Sequence, residues 1–160
     1  MFNTKNDLSE GTRVKAIALL GARLADAIDL QTQTKQAHWN VKGPNFIALH
    51  ELFDKVNEDV EDYVDDLAER AVQLGGIAEG TARMAAKRST LTEYPANTVD
   101  GRSHVDALSS VLATFGKSVR KAIDQANEIE DLDTADLFTE ISRGTDKWLW
   151  FVEAHLQAER

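Results

Sequence analysis

Residues 45–74 read NFIALHELFDKVNEDVEDYVDDLAERAVQL, and Gly75-Gly76 follows. Phe46, Leu49, Phe53, Val56, Val60, Val64, Leu67, Ala71 and Leu74 recur at intervals of three and four. That interval is one apolar face of a long helix. The glycine pair suits its C-terminus. The same stretch carries His50-x-x-x-Asp54 and Asp65-x-x-x-Glu69. Residues four apart share a helix face, so each pair can grip one ion. Asp54 and Asp65 are eleven apart, close to whole turns, and both pairs fall on nearly the same stripe. The helical rise separates them by roughly 16 Å, whereas metal–ligand bonds measure about 2 Å. One straight helix cannot bring both pairs to one ion. Either the pairs are unrelated, or a second copy packs antiparallel about a two-fold axis, making two equivalent sites.

Working outward, Val14, Ile17, Leu20, Leu24 and Ile28 predict a first helix over residues 12–38. Gly43-Pro44 breaks it, with Pro44 suited to the start of the next helix. His38 closes the first helix beside the turn into the second and could complete a nitrogen ligand set; a histidine there also suits capping of helix-end carbonyls. Residues 77–99 form a long connection, with a short helix expected over 81–87 and a turn at Tyr94-Pro95. Val105, Leu108, Leu112, Phe115, Val119 and Ile123 mark a helix over 103–127. A last helix, with Asp133 as its expected N-cap, carries Leu137, Ile141, Trp148, Val152 and Leu156. No stretch shows strand alternation. Four long helices with the long connection after the second predict an all-α, ferritin-like four-helix bundle with one crossover. The expected organisation is a tail over residues 1–10, the bundle over 11–158 and a C-terminal end at 159–160.

The length of 160 residues suits one domain, and 42% apolar content is ordinary for a globular chain. No apolar run approaches the roughly 18 residues of a membrane span. The start, MFNTKNDLSE, lacks the apolar stretch of a secretory signal, and there is no cysteine. The expectation is therefore a cytoplasmic protein without a membrane partner. Any metal must be held by histidine and carboxylate, which favours iron, manganese or zinc. Net charge is −9, from 27 acidic and 18 basic residues. That excludes a basic footprint spread over the body and suits a surface that concentrates cations, or one that is simply soluble. The HExxH zinc motif is absent, because Asp54 stands where its second histidine would be.

Several stretches together resemble the Dps family of mini-ferritins. They are Lys35-Gln36-Ala37-His38-Trp39-Asn40-Val41-Lys42-Gly43-Pro44-Asn45-Phe46, His50-Glu51-Leu52-Phe53-Asp54, and Ala68-Glu69-Arg70-Ala71-Val72-Gln73-Leu74-Gly75-Gly76. Asp133-Thr134-Ala135-Asp136 and Asp146-Lys147-Trp148-Leu149-Trp150-Phe151 add to them. The likeness covers nearly the whole chain from about Asn6.

The resemblance implies a dodecameric cage that oxidises Fe(II), preferentially with hydrogen peroxide and more slowly with dioxygen, and stores ferric mineral. It implies a ferroxidase site with His38, His50 and Asp54 from one protomer and Asp65 and Glu69 from its two-fold mate, taking iron, up to two ions per site, with zinc as a substitute. It implies acidic three-fold pores near the start of the last helix. Asp136 is the first candidate there, followed by Asp131, Glu130 and Asp133, for which helix capping is the competing role. Glu51, Glu58 and Glu61 are candidates for mineral nucleation. Trp39, beside a ligand, is read as a packing residue before an electron donor. The family name implies DNA protection, but the short tail sets Lys5 and Arg13 against Asp7 and Glu10. Direct DNA binding is expected to be weak or absent. The alternatives are a nucleoid-associated cage coating DNA with little iron turnover, and a non-catalytic bundle for protein partners.

Overall fold

The computed structural model describes residues 1–157. The expected bundle end at Ala158 and the segment 159–160 lie outside the described residues. Among the described residues five helices appear in order: α1 Glu10–Asn40, α2 Phe46–Gln73, α3 Ala82–Arg88, α4 Gly101–Glu128 and α5 Leu132–Glu153. None is long and apolar enough to cross a membrane.

Two hairpins build the bundle, α1 against α2 and α4 against α5. The direction of the second is set where the chain re-enters. The amide of Lys42, in the α1–α2 turn, donates to the carbonyl of Val99 at 2.9 Å, and Lys42 bridges Asp100. Asp100 is the N-cap of α4. The starts of α2 and α4 therefore sit at one end, so α2 and α4 run parallel while α1 and α5 run the other way. This is the single-crossover arrangement expected from the long connection. Leu20, Leu24, Leu30, Phe53, Val60, Leu67, Leu108, Phe115, Phe138 and Ile141 interlock in the core.

The crossover is pinned along α1 by polar contacts. The buried Asp26 carboxylate accepts from the Thr90 amide at 2.7 Å and pairs with Arg23 at 2.9 Å. Gln33 donates to the Thr92 carbonyl at 3.0 Å. So α1 buries an apolar seam toward α2 and α4 and a polar seam toward the crossover. That division displaces one expected core residue. Val14 is 52% exposed, because the buried row runs through Ala16, Leu20, Leu24, Ala27 and Leu30 instead.

Helix ends follow local chemistry. Asn45, not Pro44, is the N-cap position of α2. Helix α2 stops in a Schellman turn: the Gly76 amide reaches the Ala71 carbonyl and the Gly75 amide that of Val72, both at 2.9 Å. Gly75 adopts φ +87°, and a Cβ there would lie 2.5 Å from the Phe2 carbonyl oxygen. Helix α4 ends the same way, with Glu130 in the left-handed position at φ 61°. The N-cap of α5 is Asp131 rather than Asp133, its carboxylate accepting from the Thr134 amide at 3.1 Å. Two aspartates were chemically able to cap; the turn after Glu130 delivers Asp131 to the helix mouth and leaves Asp133 in the first turn.

Candidate metal centre

The α1–α2 turn folds the C-terminus of α1 over the first turns of α2, and this places His38 against His50. Their rings stack with centroids 3.7 Å apart and planes inclined by 23°. His38 Nδ1 lies 2.8 Å from the backbone carbonyl oxygen of His50, and His50 Nδ1 lies 2.9 Å from that of His38. A carbonyl oxygen only accepts, so each Nδ1 carries its ring's proton. The lone pair of each neutral ring is then on Nε2. A metal-binding histidine requires this arrangement: one nitrogen donating to a fixed acceptor, the other turned to the ion. The capping role read from sequence is thus met in altered form, since His38 satisfies a carbonyl of α2 rather than of its own helix.

Asp54, one turn beyond His50, completes the group. Its Oδ1 lies 3.8 Å from His38 Nδ1 and is bonded by the Lys35 ammonium. That hydrogen bond, with the nearby positive charge, holds the Asp54 carboxyl below the usual carboxylate range against the opposing effect of burial. Sequence reading missed Lys35, although it stands three residues before His38 and so shares its helix face. Replacing it makes a direct test. In Lys35→Met the Asp54 carboxyl titrates nearer its ordinary value of about 3.9, as followed by carbon NMR. The sign follows from the depressed folded value: the Lys35 contribution to stability is present above the unfolded value and lost as pH falls through the folded one. An unchanged titration would mean that Lys35 does not hold Asp54.

Asp65 and Glu69 are exposed on α2, nearly three turns farther along. Among the described residues, no three ligating side chains of one protomer gather at metal-binding distance. The chain stacks His38 on His50 with the Asp54 carboxylate 3.8 Å from the His38 ring, short of a three-ligand set, and leaves Asp65 and Glu69 apart from them. Trp39, 66% exposed, stands beside the first group with Phe46 and Ile47, also exposed. The packing role read for Trp39 has no counterpart inside the protomer. Around Asp65 the face is acidic, and burial together with Glu140, Asp62, Asp65 and Glu69 pushes the Asp66 carboxyl up.

The remaining candidates divide by exposure. Asp136, Glu130, Asp133, Glu51, Glu58 and Glu61 are exposed. Asp131 is not: it is 1% exposed, its oxygens taken by the α5 cap, the Thr134 hydroxyl at 2.6 Å and Arg70 at 3.0 Å. A carboxylate buried within the protomer cannot line a pore between protomers, so Asp131 leaves that set. Arg70 adds a bond to the Thr134 hydroxyl at 3.1 Å.

The Ferritin family profile, described as a ferritin-like domain, matches residues 17–160. A protein of Agrobacterium fabrum named DNA protection during starvation protein is 46% identical over 154 residues, spanning 96% of this chain and 95% of that one. The chain belongs to the Dps family. Solved Dps structures agree in fold. Dps of Mycobacterium smegmatis superposes with a TM-score of 0.93 at 34% identity, covering 98% of this chain and 96% of that one. Dps of Microbacterium arborescens, solved in a high iron form, gives 0.88 at 35% identity over 94% and 97% of the two chains. The resemblance read from the Lys35–Phe46, His50–Asp54 and Ala68–Gly76 stretches is therefore correct as to family, and the all-helical Dps fold is the one observed.

Proposed function

We propose that this Dps-family chain oxidises Fe(II) at a site shared between two-fold-related copies, preferentially with hydrogen peroxide, and stores the ferric product inside a dodecameric shell. The observation that carries the reading is the reciprocal histidine pair. Two imidazoles, each with its Nδ1 proton committed to the other residue's carbonyl, leave two Nε2 lone pairs for a ligand, and the ionised Asp54 carboxylate stands one turn farther along α2. Borderline nitrogen ligands combined with hard carboxylates suit iron in both oxidation states, and zinc as a competing occupant. The partner copy supplies Asp65 and Glu69. The exposed Trp39, Phe46 and Ile47 beside the site supply apolar surface for that copy to cover.

The chemistry asked of these residues is positioning and charge. Fe(II) is the substrate, and two ions each surrender one electron. Peroxide accepts both electrons with two protons, its O–O bond breaks, and two waters result. The carboxylates favour the more highly charged product over the reactant. Consuming both reagents together prevents the one-electron cleavage that releases hydroxyl radical. Asp136 with Glu130 and Asp133 would draw cations toward three-fold pores, and Glu51, Glu58 and Glu61 would seed mineral. A cytoplasmic setting goes with this reading.

Direct DNA binding stays weak in this proposal. The first residues are laid against the bundle, with the Phe2 amide donating to the Gly75 carbonyl at 2.7 Å. A protomer charge of −9 repeated through a cage repels phosphate.

The test is anaerobic Fe(II) loading followed by peroxide, read by ferric absorbance, with wild type beside a His50→Ala/Asp65→Ala variant of verified assembly. The proposal expects rapid oxidation in the wild type, slowed by about a hundredfold in the variant. Equal rates would make these residues structural.

A further inference from the structure

One fully buried imidazole takes no part in the site described above. His104 stands at the start of α4, closed off from solvent. Its Nδ1 lies 2.5 Å from the hydroxyl of Tyr94 on the crossover, and the two rings are nearly parallel, inclined by 20°. Its Nε2 is buried and has no hydrogen-bond partner among the described residues. A phenylalanine would fill the same space without stranding a polar atom, and an orphaned polar atom in a core asks for a chemical reason.

A phenol against an imidazole supplies one. A phenol surrenders an electron readily only when its proton leaves in the same event, because the oxidised phenol is a strong acid. That event needs a base already in contact with the hydroxyl. Burial holds His104 below its ordinary value of 6.5 and pushes the Tyr94 hydroxyl up, so at neutral pH the base is free and the phenol keeps its proton. The imidazolium formed on transfer is favoured by Asp100 and by the backbone of Asn40 and Thr98, and opposed by Lys42. The pair also adjoins the candidate metal centre. Phe53, the neighbour of Asp54 in sequence, packs its ring 6.4 Å from that of His104. Tyr94 shares a cavity of about 940 Å³ with Trp39 and with Lys35, the partner of Asp54.

We propose that Tyr94 is a reserve electron donor for this centre, with His104 Nδ1 as the acceptor of its proton. The inference rests on the ferroxidase reading for its oxidant, hydrogen peroxide. Peroxide needs two electrons, and a site holding a single Fe(II) gives one. Tyr94 gives the second: its O–H bond breaks, the electron goes to peroxide and the proton to His104. Two protons from solvent join the two oxygens as the O–O bond breaks. The products are two waters, Fe(III), a Tyr94 phenoxyl radical and a His104 imidazolium. The next Fe(II) returns the electron, and His104 returns the proton to the phenoxyl oxygen. No hydroxyl radical leaves the site.

The first arm of the test needs no iron. The assembled protein is flashed with a ruthenium polypyridyl photo-oxidant, and the radical is identified by electron paramagnetic resonance with ring-deuterated tyrosine. A tyrosyl signal forms in the wild type and in Tyr63→Phe and is absent in Tyr94→Phe. In His104→Gln, tyrosine oxidation slows by about a hundredfold, through loss of the positioned base. The wild-type rate falls as acid protonates His104, and the variant lacks that dependence. A signal that survives Tyr94→Phe, or an equal rate in His104→Gln, overturns the proposal. Nitrogen NMR of labelled histidine needs no variant: Nδ1 of His104 is expected to be the unprotonated atom, and a proton found there overturns the proposal too. The second arm adds peroxide to protein holding one Fe(II) per site and freezes the mixture. A Tyr94 signal supports the donor role, and its absence in protein that oxidises Fe(II) overturns it. Protein that oxidises no Fe(II) at all fails the ferroxidase reading instead, while the first arm still decides whether Tyr94 and His104 form a redox pair.

Discussion

Co-assembly of His50→Ala protomers with Asp65→Ala protomers restores about a quarter of the wild-type rate of Fe(II) oxidation, although each variant alone is nearly inactive. The reasoning is geometric. In a pair of His50→Ala chains both sites lack the imidazole, and in a pair of Asp65→Ala chains both lack the carboxylate. In a mixed pair, the Asp65→Ala chain gives its intact His50 to a site completed by the intact Asp65 of the His50→Ala chain. That site is whole, and the other lacks both ligands. Random mixing makes about half of all pairs mixed, and half of their sites are whole. The preparation is refolded from a common denatured pool, and the rate is read by ferric absorbance after peroxide addition. A mixture no faster than the mean of its parents would place all the ligands within one chain. The expectation rests on the eleven-residue separation of Asp54 and Asp65 and on the gathering of His38, His50 and Asp54 at one end of α2.

The largest loss of stability is expected at Arg70. Its guanidinium meets the Asp131 carboxylate at 3.0 Å, with the arginine side chain 13% exposed and the aspartate 1%. Arg70→Ala leaves that carboxylate buried and unpaired at the mouth of α5. Breaking a buried pair from one side costs about 3–5 kcal/mol. Asp131→Asn in the same background removes the stranded charge and keeps an oxygen for the Thr134 amide, so it recovers a large part of the loss. Guanidinium unfolding at fixed protomer concentration measures both, because assembly shifts apparent stability. A loss below about 1 kcal/mol for Arg70→Ala would mean that water already serves Asp131.

How far the sequence told this story depends on the range of the forces involved. Helix existence was legible because Phe53, Val60, Leu67 and Ala71 bury one face whatever the rest of the chain does. The long stretch before Asp100 signalled a crossover, and the family stretches around His38, His50 and Glu69 named the fold's relatives. Contacts made by charged side chains across elements were not legible. Lys35 and Asp54 are nineteen residues apart, Arg70 and Asp131 sixty-one. Nothing in local spacing reveals that α1 lays its lysine on α2, or that α2 presents its arginine to the mouth of α5. The misplaced cap has the same origin: Asp131 and Asp133 have equal local propensity, and a partner on another helix reinforces the first. Val14 was misread because an apolar residue near a helix start fits several stripes, and only the packing of Ala16 and Leu20 selects one.

If the two pairs along α2 are the proposed ligands, the distance between them also limits how the gene can change. In the proposed reading residues 55–64 space the two pairs, and Val56, Val60 and Tyr63 among them also pack into the core. A single codon inserted or deleted there would turn Asp65 and Glu69 by about 100° and shift them by about 1.5 Å relative to His50 and Asp54. In the two-fold arrangement both sites of a pair would fail together, since each borrows from the far end of its neighbour's helix. In the proposed arrangement a change in the length of this segment would therefore disable both sites of a pair at once, whatever residues it carries.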